Sequence, residues 1–327
     1  MISSDMESKM KELIDSAIAI LRNEGIEKFS CRLLYFTIQR KNLCVENLRY
    51  GFASMVNRFS NYVKVTVNDY QMYINPKDKG ISKELYLYGG REFFSTEFMK
   101  NYISKDDVVI DIGANIGYYA LLEGKLARKG EIYCVEPVPA NVHLLKKNIE
   151  LNNCKNISVF QYAIGDFNGK SKIYIYDKCN WSSFIRNPKG NIVEEIEVPV
   201  MTLDTFVKKH VHRNPTLIRM DVEGYEYNIL KGASETLRKS TKLKLAIEMH
   251  PHLMPSASTK ELLNILKGND FKVRAIILDP KPRDYKDVGA LNRLRRKLGL
   301  PELGVVGRGY QKFDNLLKLN CACHVFF

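Results

Sequence analysis

Apolar residues recur in short blocks along the chain, and their spacing changes near residue 107. Before that point, Ile14, Ala17, Ile18 and Leu21 fall at helical intervals within 5–24, which predicts an amphipathic helix. Residues 30–60 mix aromatic and basic positions and read as further helix. From 62 to 75 the run "YVKVTVNDYQMYI" alternates polar and apolar positions about Asn68-Asp69, the signature of a β-hairpin. Residues 91–103 predict a helix leading into the next unit.

From 107 onward, apolar strand and amphipathic helix alternate. "DVVIDIG" is a buried strand followed by a helix near 117–128. "EIYCVEP" is a second strand, and "NVHLLKKNIELNN" a helix with Leu144, Leu145 and Ile149 inward. "ISVFQYAIG" reads as one third strand. "KSKIYIYD" and "EEIEVPVMTLD" form an antiparallel excursion, with a helix over 204–210. "PTLIRMDV" is a fourth strand, "EYNILKGASETLRK" one helix and "KLKLAIEMH" a fifth strand. "FKVRAIILD" and the final "CACHVFF" complete the set. Such alternation predicts an α/β fold, a parallel sheet with helices on both faces. A basic, Gly/Pro-punctuated insertion over about 280–320 precedes the last strand.

Composition narrows the class. With 327 residues, 45% of them apolar, the chain can bury a full core. No run of eighteen apolar residues predicts a membrane span, and Met1 to Lys11 lacks the apolar centre of a secretory leader. Seven scattered cysteines, several in strand-like surroundings, read as buried free thiols. Cys321-Ala-Cys323 has no second pair, so no metal is expected. These features predict a soluble, reduced, cytoplasmic protein. The net charge of +13 is uneven, since residues 267–318 hold thirteen Lys or Arg against six Asp or Glu. That surplus is either a solvated face or a surface for phosphate-bearing and acidic partners.

The chemistry begins at Asp111-Ile-Gly113-Ala114-Asn115-Ile-Gly117, a strand-to-helix turn of the kind that approaches a nucleotide. A phosphate loop requires Gly-Lys-Ser/Thr, and Gly117 is followed by Tyr118. A dinucleotide turn requires a middle glycine, which Asn115 replaces, and Asp111 at the strand end would repel a pyrophosphate. An acid there suits a cationic, phosphate-free nucleoside, S-adenosylmethionine, with Asp111 serving its charged end directly or through water. Glu136, beside Pro137 at the end of the second strand, is placed to accept from both ribose hydroxyls. Ala163 and Asp166 end the third strand and line the adenine.

Together "DIGANIGYY", "EPVPANVHLLKKNIELNN", "YAIGD", "VMTLDTF" and "RMDVEGYEYNILKGA" resemble the FkbM-type class I methyltransferases over about residues 80 to 250. The resemblance implies the Rossmann-like, seven-stranded class I methyltransferase sheet, whose last strand inserts antiparallel, a role "CACHVFF" fits. It implies Asp111, Gly113, Asn115 and Gly117 as the first cofactor motif and Glu136 as the ribose acid. Glu92 aligns with a family glutamate, but Arg91 and Phe93 depart from the pattern around it. The domains are then 1–90, a helical and β-hairpin extension, and 91–327, the methyltransferase domain with its basic insertion.

Methyl transfer is an in-line displacement, and an oxygen acceptor must also lose a proton. Asp221 and Glu223 end the fourth strand, and Glu248 and His250 the fifth, at the cofactor edge. Asp221, Glu223 and His250 are the candidate catalytic residues. Glu226 and Tyr225 read as helix-surface positions. Asp-Val-Glu-Gly after the fourth strand suits a hydroxyl with a general base, and a Pro-Cys pair for a cysteine mechanism is absent. Oxygen and nitrogen donors in this group could hold a divalent metal, but no metal is assigned. Trp181 in "NWSSF", the sole tryptophan, stacks on a sugar ring, on adenine or in ordinary packing. The expected acceptor is a hydroxyl of a glycan, lipid-linked sugar or small metabolite, anionic in one version. The alternative is an RNA methyltransferase using the basic insertion.

Overall fold

The computed structural model describes residues 44–51, 61–186, 190–239, 242–297, 302–311 and 321–327, with positions 34, 37, 38 and 55 besides. The helix expected over 5–24 lies outside these residues, as does much of 30–60. Helix α1 covers 44–51. Strands β1 (Val63–Val67) and β2 (Tyr70–Ile74) form the expected hairpin, with Asn68 in the left-handed region at the turn. Helices α2 (Ile81–Tyr88) and α3 (Phe93–Tyr102) follow.

The strand–helix alternation then begins with β3 (Val108–Ile112), α4 (Tyr118–Leu126), β4 (Glu131–Val135), α5 (Pro139–Leu151) and β5 (Ile157–Phe160). It resumes with β9 (Leu217–Met220), α7 (Glu226–Lys231), α8 (Ser234–Lys239), β10 (Lys244–Met249), α9 (Ser256–Gly268) and β11 (Val273–Leu278). Strand β13 (Cys323–Phe326) inserts antiparallel between β10 and β11. In space the seven strands run β11-β13-β10-β9-β3-β4-β5, the class I methyltransferase sheet with its antiparallel last strand. An eighth strand, β12 (Gly304–Gln311), comes from the basic insertion and pairs antiparallel on the outer side of β11. Helix α10 (Val288–Lys297) precedes it.

Residues alternate between the two faces of each strand, so the sheet serves two cores. Val108, Ile110 and Ile112 of β3 pack with Leu203, Phe206, Ile229 and Leu262 from the helices on one side. Val109 packs on the other side with Met72 of the hairpin, Leu85 of α2, Met99 of α3 and Leu145 of α5. The hairpin and α2 thus share a core with the sheet. No helix among the described residues is long and apolar enough to cross a membrane.

Two elements differ from the sequence reading. "ISVFQYAIG" is two strands: β5 stays in the large sheet, while β6 (Ala163–Gly165) joins β7 (Gly169–Tyr176) and β8 (Ile192–Thr202) in a separate three-stranded sheet. Helix α6 (Leu203–His210) follows β8, its Thr202 cap accepting from the Thr205 N–H at 3.2 Å. "EYNILKGASETLRK" breaks into α7 and α8 at Gly232, whose backbone lies so near Gly165 that a Cβ there would overlap the Gly165 carbonyl.

Candidate functional site

A cleft opens where β3, β4 and β9 end, at the switch point of the sheet. The small sheet walls it with Ala163, Ile164 and Ile173, and residues 179–184 form its roof. Asp78 secures that roof. Its carboxylate accepts from the N–H groups of Gly80, Ser82 and Cys179 at 2.8–2.9 Å, joining the start of α2 to the roof.

The floor is the turn singled out above. Gly113 (φ 81°) donates its N–H to the Val135 carbonyl at 2.9 Å, and a Cβ there would overlap the Asp221 carbonyl oxygen. The ends of β3 and β9 therefore meet with no room for a side chain. Asn115 sits at φ 51°, a region asparagine tolerates because its side chain bonds locally. Here its side-chain oxygen accepts from the Ile116 N–H at 2.8 Å, while its own N–H donates to Glu136 Oε2 at 2.9 Å.

Glu136 Oε1 accepts from the Val138 N–H at 3.0 Å and from the Asn141 amide at 3.2 Å. Burial pushes the Glu136 carboxyl up to about 7, against the pull of these donors. Each carboxylate oxygen can accept two hydrogen bonds, so Oε2 keeps capacity for a ligand hydroxyl.

Of the expected cofactor residues, Gly113, Asn115, Glu136, Pro137 and Ala163 line the cleft. Asp111, Ala114, Gly117 and Asp166 are not in its lining. Asp111 is wholly buried behind the turn, held by Arg219 Nη1 at 2.9 Å. Gly117 starts α4 against Leu145. Asp166 pairs with Lys231 at 3.0 Å, since the departure of β6 from the large sheet gives the cleft wall to Tyr162 and Ala163. Arg219, unassigned in the sequence reading, also reaches Asp221 at 3.3 Å and lies 3.9 Å from the centre of the Tyr119 ring. The signal for it was a lone charge inside the apolar strand "LIRM".

Of the three candidate catalytic residues, Asp221 lines the cleft, and Glu223 and His250 are not in its lining. His250 Nδ1 lies 2.8 Å from Glu226 Oε1, and its Nε2 lies 3.5 Å from Glu223 and 3.7 Å from Glu248. Burial works against a charged imidazole, but these carboxylates raise the His250 pKa well above its ordinary value. Burial, then Glu248, pushes Asp221 up to about 6, with Arg219 and His250 opposing. Glu226 is fully buried, not at the surface, because α7 turns it under Gly224 to meet His250. Tyr225 also lines the cleft and is half-buried.

A second group adjoins the first. Glu92, in the left-handed region before α3, pairs with Arg91 and with His324 of β13 at 3.2 Å, and accepts from the Tyr119 hydroxyl at 2.9 Å. Both groups, Asp221–Glu223–His250 and Glu92–Glu248–His324, have donor atoms close enough to share a divalent cation. Each is an imidazole ringed by carboxylates, and Glu248 Oε2 in the second is buried without a hydrogen-bond partner.

Residues 111–273 match the family model described as the methyltransferase FkbM domain. The chain is similar to Methyltransferase 1 of Beauveria bassiana, 25% identical over 193 residues that cover 51% of this chain and 74% of that protein. It is 30% identical over 149 residues to the 2-O-methyltransferase NoeI of Sinorhizobium fredii, covering 41% of this chain and 60% of that one. With the hexuronic acid methyltransferase AglP of Haloferax volcanii it shares 24% identity over 160 residues, 48% of this chain and 62% of that one. The chain thus spans less than two thirds of NoeI and AglP.

Proposed function

The chain belongs to the FkbM family of S-adenosylmethionine-dependent methyltransferases, and from that premise we propose that it methylates a hydroxyl group of a sugar. The cleft suits the donor chemically. Glu136 keeps acceptor capacity for ribose hydroxyls, Tyr162, Ala163 and Phe184 offer apolar surface to the adenine, and Asp221 supplies negative charge for the cationic end. Asp111 contributes from behind, through Arg219. When bound, the donor supplies an electrophilic methyl group on a sulfonium centre.

Asp221 carries the reading, being the acid that lines the donor cleft with a pKa of about 6. At neutral pH it is ionised and able to take the hydroxyl proton. Arg219 and the imidazolium of His250 hold its charge in place, and Glu223 and Glu226 hold His250. An imidazole held protonated is a poor base, so we assign His250 and Glu223 to positioning. The names of NoeI and AglP, a 2-O-methyltransferase and a hexuronic acid methyltransferase, support a sugar hydroxyl as acceptor. Six free thiols among the described residues support a reducing, cytoplasmic setting.

The test is labelled methyl transfer to the cell's glycan and nucleic-acid fractions, with wild type and Asp221→Asn compared. Label in sugar, lowered about 10²-fold by the variant even at saturating donor, supports the assignment. Label in RNA, or undiminished turnover, overturns it.

A further inference from the structure

A second, larger basin adjoins the roof of the donor cleft, and Asn180 lines both. Five lysines line it: Lys77 and Lys79 before α2, Lys83 on α2, Lys178 at the roof and Lys281 after β11. Two are neutralised, Lys79 by Asp177 at 3.1 Å and Lys83 by Glu46 at 2.7 Å. Glu84, also in the lining, pairs with Arg91 at 3.4 Å, and its charge and that of Asp177 also act on Lys178. Lys77, Lys178 and Lys281 form no salt bridge among the described residues. The ammonium of Lys178 stands 3.5 Å from the centre of the Trp181 ring.

This arrangement is electrostatically incomplete. Burial, then the neighbouring charge of Lys281, holds the Lys178 pKa below its ordinary value against the pull of Asp177, and a bound anion would offset both effects. Polar groups beside it also lack partners. Asn180 Oδ1 and Ser182 Oγ are buried without a hydrogen bond, one on the shared wall and the other in the donor cleft. Unmade hydrogen bonds at buried atoms are costly, and ligand hydroxyls would complete them. Trp181 adds the flat apolar surface against which a sugar face packs.

We propose that this basin is the acceptor subsite, and that it takes a carbohydrate carrying a phosphate or carboxylate group. The anion lies on Lys178 and Lys281, the sugar face lies against Trp181, and Asn180 marks the passage of a hydroxyl toward Asp221. The word acceptor rests on the methyltransferase reading above; the ligand chemistry rests on the basin's own residues.

Trp181 is the only tryptophan, so its fluorescence reports on this basin directly. Glucose 1-phosphate, glucuronate, glucose, inorganic phosphate and a single-stranded RNA oligonucleotide are titrated separately against the full chain. S-adenosylmethionine binding is followed in parallel by calorimetry. Saturable quenching by glucose 1-phosphate or glucuronate, at least about tenfold tighter than by glucose or phosphate, supports the proposal; the tighter of the two identifies the anion. Lys281→Met and the double variant Lys178→Met/Lys281→Met should each weaken that binding by about tenfold or more, Lys281→Arg should largely preserve it, and donor affinity should not move. Equal binding of glucose, phosphate as tight as the sugar phosphate, response to RNA alone, or indifference to the lysine changes overturns it. Loss of donor binding in wild type instead defeats the methyltransferase reading and leaves the fluorescence result interpretable.

Discussion

The Arg219 guanidinium donates to the Asp111 carboxylate at 2.9 Å, and neither side chain is more than 6% exposed. The same guanidinium reaches Asp221, so one buried cation sits between the acid behind the cleft and the acid lining it. Removing one partner of a buried pair leaves charge uncompensated. Arg219→Met should therefore lower unfolding free energy by roughly 3–5 kcal/mol in urea titration. Arg219→Lys, which keeps the charge but not the forked donors, should lose less. An unchanged midpoint for the methionine variant would show that the pair is not what holds these acids.

The two glycines of the opening turn should differ in tolerance. Gly113→Ala forces a Cβ into the Asp221 carbonyl, which neither strand end can yield. Gly117→Ala meets the end of the buried Leu145 side chain, Cδ1 at 2.7 Å, which can shift, at a combined strain and repacking cost of about 2–4 kcal/mol. Thermal melts and donor titrations should rank Gly113→Ala far below Gly117→Ala. Equal behaviour would contradict the close approach of β3 and β9.

Glu136 predicts a pH signature. Its pKa is raised to about 7 in the folded protein, so between about pH 4.5 and 7 the fold retains a proton that the unfolded chain has released. Its contribution to stability must then fall as pH rises through that window and be flat on either side. Glutamine does not titrate. Unfolding free energy of wild type minus that of Glu136→Gln should decline from pH 5 to 7.5; a constant difference would place the carboxyl in a wetter setting.

Asp78 offers a different test, since it acts on the roof and not on the donor. Asp78→Ala strands the N–H groups of Gly80, Ser82 and Cys179, and should cost about 2–3 kcal/mol of stability. Trp181 fluorescence should change even without ligand. Asp78→Asn, which retains acceptor capacity on one oxygen, should fall between. A roof indifferent to Asp78 would leave its emission unaltered in both variants.

The large sheet was legible because Ile110, Val135 and Ile218 belong to apolar runs long enough to show a period. Its switch-point turn was legible because glycine and asparagine are confined to special backbone there. Periodicity fails where elements are short. Helix α7 has six residues, too few to reveal which face is buried, and Glu226 was read as exposed for that reason. The division of "ISVFQYAIG" escaped because both pieces are apolar, and only pairing partners separate β5 from β6. Asp78 and Lys178 are distant in sequence, and nothing local shows that their segments meet.

That meeting has an evolutionary meaning. The donor cleft is floored by strand ends that leave no space for change, whereas the basin is assembled from separate segments fastened at Asp78. Lys77, Lys178 and Lys281 can be exchanged without disturbing the packing of β3 against β9. A lineage, or an engineer, could thus redirect acceptor choice by exchanging these three lysines while keeping Asp78 and inheriting the methyl-donating half intact.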